Sequence, residues 1–250
     1  MKIKYSICLI LVFSFLCFGQ QNEKAKILNK YLDSLKNYQV DGYSKFMTMG
    51  ENEFKHIIID AYKAIEIASP EMKKIFDINY YTAYSCFLRA VKSRYSYFLT
   101  TLIRVPIFVK AKILSKNEVK KGSFFQINLK LKPEYRLKGK EQFLSQPEFE
   151  VYYREYENVP KDKDYKVGES YLFPLWDRAE PDNKIFAIAT WMDGHGSRFL
   201  IKDNLIYDEY NFFNLGLEIN WDYFIQKFNE MITQVLTGGD LDIFKKYNNY

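Results

Sequence analysis

The densest grouping of chemically versatile side chains is Asp193-Gly194-His195-Gly196-Ser197, an acid, an imidazole and a hydroxyl within five residues. Hydrolysis by a triad requires the imidazole to touch both partners in a set geometry, and triads draw their members from separate loops. Glycine on both sides of His195 suits instead a hairpin turn between strands at Ile185–Trp191 and Phe199–Ile201. Cys86 would need His56 or His195 as its base. Flanked by Tyr84 and Phe87 on a helix, it reads as a small buried hydrophobe. Glu148, Glu150, Glu155 and Glu157 supply carboxylates for glycoside hydrolysis, but acids on a solvent face give the same pattern.

Metal and cofactor chemistry find little to work with. Zinc wants Cys and His ligands in number, and calcium loops follow an Asp-x-Asp-x-Asp-Gly pattern. Neither Asp162, Asp164 and Glu169 nor Asp203, Asp208 and Glu209 follow that pattern, and no glycine loop cradles a phosphate. No catalytic residue, metal site or cofactor is therefore assigned.

Charge distribution carries more. Between Arg104 and Lys140 stand eleven basic residues against Glu118 and Glu134, whereas Asp203 to Tyr250 holds eight acids and three basics. Lys110, Lys112, Lys130 and Lys132 alternate with apolar residues, which places them on the outer face of two paired strands. Such a face steers acidic partners: an anionic polysaccharide, an acidic protein, an envelope surface or the chain's own acidic end. Trp176, beside a turn, is the tryptophan placed to stack on a sugar ring, whereas Trp221 opens a helix on its apolar face.

The compartment follows from the first residues. Lys2 and Lys4 precede an apolar run from Ile7 to Phe18, too short for a membrane span and suited to a secretory signal cut near Gly19. A lipoprotein leader acylated at Cys17 is the alternative, but Phe15 and Leu16 occupy the places of its small residues. Cleavage removes Cys8 and Cys17, so Cys86 has no partner for a disulfide, and loss of Lys2 and Lys4 lowers the net charge from +5 to +3. The expectation is a secreted or periplasmic protein without a transmembrane segment. Export and modest charge argue against nucleic acid as partner.

The elements that position these residues divide by pattern. Residues 20–100 read as a helical region: one helix from Asn22, an Asp41-Gly42 turn, a helix near 51–67, a start at Ser69-Pro70-Glu71, and a helix over 79–99. From 101 to 216, prolines, glycines and runs such as Ile107-Val109-Ala111-Ile113 and Phe125-Ile127-Leu129-Leu131 predict an antiparallel β-barrel or sandwich, with an OB-like barrel as one form. Residues 217–250 give an amphipathic helix capped by Asn220 and ended by Gly238-Gly239, then a short turn or tail. The fold class is α+β. The 21 Tyr, 21 Phe and 3 Trp fall mostly on the inward faces of these elements, which predicts a large aromatic core.

The stretch from Val105-Pro106-Ile107-Phe108-Val109 through Leu137-Lys138-Gly139 to Tyr165-Lys166-Val167-Gly168-Glu169-Ser170-Tyr171-Leu172 resembles the netrin-like module, an OB-type barrel shared with tissue inhibitors of metalloproteinases, over residues 101–206. The resemblance implies a barrel. Inhibition does not follow, because those inhibitors chelate zinc with an N-terminal Cys and carry several disulfides, which this chain lacks. The expected function is an exported, non-catalytic protein binding an envelope or extracellular partner through a basic β face. A secreted hydrolase using carboxylates or His195, and a peptidase-inhibitor-like module, are the alternatives.

Overall fold

The computed structural model describes residues 42–68, 78–139, 147–156, 165–177, 185–188 and 198–247, with scattered positions between 26 and 38. The fold is α+β. Among the described residues, helices α1 (Gly42–Thr48), α2 (Glu51–Ala68), α3 (Ile78–Arg94) and α4 (Tyr97–Arg104) precede eight strands, and α5 (Trp221–Thr237) follows them, with a 3-10 turn at Leu241–Tyr247. Among the described residues no helix is long and apolar enough to cross a membrane, and Cys86 is free.

The helix expected over 79–99 is two helices. Ser96 stops the first and caps the second: its Oγ accepts from Leu99 N at 3.0 Å, so the chain turns before α4 begins. Gly42 opens α1 rather than closing a turn. It lies close against Cys86, whose Cβ would be 3.5 Å from a Cβ added at Gly42. Arg94 ties α1 to α3: its guanidinium donates to the Phe46 and Met49 carbonyls, each at 2.9 Å, and covers the Phe54 ring. The expected start at Ser69-Pro70-Glu71 lies outside the described residues.

The strands are β1 (Ile107–Lys121), β2 (Phe124–Lys138), β3 (Phe149–Tyr156), β4 (Ser170–Asp177), β5 (Ile185–Ile188), β6 (Phe199–Lys202), β7 (Leu205–Tyr207) and β8 (Glu218–Asn220). Pairing runs β1–β2–β3–β5–β4 and returns from β4 to β1, while β6, β7 and β8 continue from β4 as an open extension. The eight-stranded sheet as a whole is thus neither a closed barrel nor a two-sheet sandwich, and it is not wholly antiparallel, because β3 and β5 run parallel.

The hairpin expected between Ile185–Trp191 and Phe199–Ile201 is not formed among the described residues, and its turn lies outside them. β5 and β6 both pair with β4, at Leu175↔Ile188 and Leu172↔Phe199, on the edge away from β1, so they follow one another along that edge. A two-residue connection at Asp203-Asn204 does make a hairpin of β6 and β7. Both residues sit at positive φ, 51° and 58°, the backbone that a tight type I′ turn requires and that Asp and Asn tolerate.

Two apolar cores result. One fills the five-strand circuit with Val109, Ala111, Ile113, Ile127, Leu129, Leu131, Val151, Tyr153, Tyr171 and Phe173. The other joins helices to the opposite face of the sheet. There Phe98 of α4, Phe199 of β6, Phe212 and Phe213 of the β7–β8 connection, and Phe224 and Phe228 of α5 meet ring to ring, with Phe98 edge-on to Phe213 at 5.1 Å. Edge-to-face contacts of this kind add to the area each ring buries. The aromatic excess is therefore largely core. The helical region and the terminal helix share this core with β1, β2, β4, β6, β7 and β8.

Candidate functional site

Residues directly opposite on neighbouring strands point to the same side of a sheet, so the register sorts the outer face into rows. The first row is Lys138–Phe108–Pro174, buried beneath helices. The second is Tyr135–Lys110–Leu172–Phe199, and the third is Lys132–Lys112–Ser170–Ile201. Each row runs from the basic β1–β2 side into apolar residues covered by helices. Lys110 marks the margin: its Nζ lies 5.3 Å from the Trp221 ring at the start of α5. Lys112 and Lys132 lie beyond it, in solvent.

The structure thus brings Lys110, Lys112, Lys130 and Lys132 onto one side of the β1–β2 pair, but not as four equivalent charges. Lys110 Nζ is 3.7 Å from Glu134 Oε2, and Lys130 pairs with Glu148 and stands opposite Glu150 in the ladder. Three acids stand against four lysines, so the face carries a net +1, and Lys112 and Lys132 are the two lysines whose charge no ion pair meets among the described residues. These two are direct cross-strand partners, exposed, with no ion pair among the described residues. Like charges placed directly opposite destabilise a sheet.

Tyr135 is a member of this face that alternation alone misses. Pro133 and Glu134 interrupt the pleat: Ala111 faces Pro133 while Lys110 faces Tyr135, so one extra residue is accommodated there and Tyr135 is turned outward beside Lys110. The signal was Pro133 itself, since proline within a strand marks an edge or a bulge. Tyr135 is 39% exposed, and its ring stands at 85° to the Trp221 ring, centroids 6.0 Å apart.

The other sequence candidates do not assemble around it. Trp176 belongs to β4 opposite Ala187, but its side chain lies outside the described residues, as do Asp193, His195, Ser197, Asp162 and Asp164. His56 is exposed on α2. Glu148 is taken by Lys130, and Glu169 accepts from the Tyr171 hydroxyl at 2.5 Å. Asp203 forms the β6–β7 turn. No group of three potential metal ligands occurs among the described residues.

Two buried charged groups went unread in the sequence. Lys138 donates to the Leu102 and Val105 carbonyls at the end of α4, and burial pushes its amine down to about 7 against an opposing pull from Glu66. Asp208 accepts from Phe213 N at 2.7 Å, and burial raises its carboxyl to about 6 against the hydrogen bonds from backbone N–H groups. Both sit within packed structure. The chain matches no protein-family model, and no curated protein matches it in sequence.

Proposed function

We propose that the protein is an exported, non-catalytic binding protein that captures an acidic envelope or extracellular partner on the outer face of β1 and β2. The observation that carries this reading is the cross-strand pair Lys112 and Lys132, exposed and without an ion pair among the described residues, where Lys110 is paired with Glu134 and Lys130 with Glu148. An arrangement that lowers sheet stability and concentrates charge in solvent is accounted for by a ligand that neutralises it. The five-strand circuit with parallel β3 and β5 supports reading the module as an OB-type barrel akin to the netrin-like one.

The test is retention of cell-envelope material by the immobilised protein at two ionic strengths. Raising salt from about 0.1 M to about 1 M shortens the screening length from about 10 Å to about 3 Å. Retention should fall with salt and with the double substitution Lys112→Ala and Lys132→Ala. Retention indifferent to both would sink the reading.

A further inference from the structure

We infer that the acidic partner is a polysaccharide, with Tyr135 as a sugar-stacking platform beside the Lys112–Lys132 anion site. This rests on the basic-face reading above and assigns its ligand class. Lys110↔Tyr135 and Lys112↔Lys132 are rungs two residues apart along β1, so the backbone positions that carry the ring and the charge pair are separated by about 7 Å. The tyrosine is not a loose surface ring. Trp221, itself buried, stands nearly perpendicular to it, and Lys110 is held between the Trp221 ring and Glu134, so the platform is set before a ligand arrives.

A part-exposed aromatic ring adjoining two exposed cations matches a ligand that alternates apolar ring faces with carboxylates or sulfates. An acidic peptide would satisfy the lysines but has no regular use for the ring. A second copy of this chain would bring the same positive charge to the face. Glu134 does not oppose an anion here, because its charge is matched by Lys110.

The experiment compares two soluble probes on the full chain after leader removal: polygalacturonate, which has rings and carboxylates, and polyglutamate, which has carboxylates alone. Tyr135→Leu keeps apolar volume against Trp221 but removes the flat face. Tyr135→Phe keeps the face. Wild type should bind polygalacturonate more tightly than polyglutamate. Tyr135→Leu should weaken polygalacturonate by about fivefold and leave polyglutamate unchanged, and Tyr135→Phe should restore it.

Equal affinity for the probes, an equal loss on both, or no loss on either overturns the polysaccharide assignment while the basic face stands. Failure of wild type to bind either probe, or binding of both that survives Lys112→Ala with Lys132→Ala, overturns the underlying reading as well. Unchanged thermal midpoints of the variants establish that the losses are local.

Discussion

The Lys138 ammonium lies 4.1 Å from the centre of the Tyr62 ring and donates to the Val105 carbonyl at 2.8 Å, with 2% of the residue exposed. One side chain thereby joins three elements: β2, which carries it, α4, whose last carbonyls it satisfies, and α2, whose aromatic face covers it. The end of a helix presents unpaired carbonyls and partial negative charge, so a buried cation there meets both needs.

Burial nevertheless lowers the Lys138 amine from 10.5 to about 7, and this sets a pH dependence. Between those values the unfolded chain binds more protons than the folded one, so stability rises with pH across that window and is level below it. The buried tyrosines Tyr31, Tyr62 and Tyr84, all raised by desolvation, act oppositely above their ordinary value of 10.0, where the unfolded state ionises first. Urea midpoints should therefore climb from about pH 7 to a maximum near pH 10 and then fall. Lys138→Met, which keeps the stem without the amine, should flatten the climb. A midpoint that changes identically in wild type and Lys138→Met across the window refutes this.

Asp208 gives the opposite slope at acid pH. Its carboxyl is raised from 3.8 to about 6, so the folded state is the better proton binder and stability falls as pH rises through that range. Oδ2 accepts Phe213 N, while Oδ1 has no partner. Asp208→Asn keeps one acceptor and removes the charge, so it should raise the thermal midpoint at pH 7 and lose that advantage near pH 4. Asp208→Ala abandons the backbone N–H groups of the turn and should lower stability by about 1–3 kcal/mol. An Asn variant less stable than wild type at pH 7 and equal at pH 4 would reverse the assignment.

Asn220 is the hinge between sheet and terminal helix. Its Oδ1 accepts from Asp222 N at 3.0 Å and Tyr223 N at 3.1 Å, which fixes where α5 starts and hence where Trp221 meets Tyr135 and Lys110. Asn220→Ala should cost about 1 kcal/mol in chemical denaturation, and Asn220→Ser should recover most of it. If Ala and Ser behave alike, the side chain is not acting as a cap.

The fold was legible where a residue pattern had one structural meaning. Alternation placed Val109, Ala111 and Ile113 inward, and Asn220 and Gly238 marked the ends of α5. Long-range pairing was not legible: nothing local to Ile185 or Phe199 says that both strands pair with one edge of β4 instead of with each other. The same limit hid Lys138. Its sequence neighbours give no sign that α4 ends above β2, and only that approach makes a lysine admissible in the core. At the site, alternation found the four lysines, but the acids that divide them into two paired and two unpaired come partly from β3 and the turn before it. Tyr135 required the bulge at Pro133.

Opposed effects on stability and binding should appear at Lys132. It faces Lys112 across the ladder, a like-charge pair that destabilises the sheet. Lys132→Glu turns the repulsion into attraction, so the variant should be more stable than wild type by about 0.2–1 kcal/mol. At high salt that gain should shrink, because both side chains are exposed and their interaction is screened. The same substitution removes a cation from the face and pairs the one left, so binding to polygalacturonate should fall steeply. A purely structural lysine pair predicts the gain in stability with no loss of binding. A surface whose charges do not interact predicts neither, so one denaturation series and one binding titration on Lys132→Glu separate the three cases.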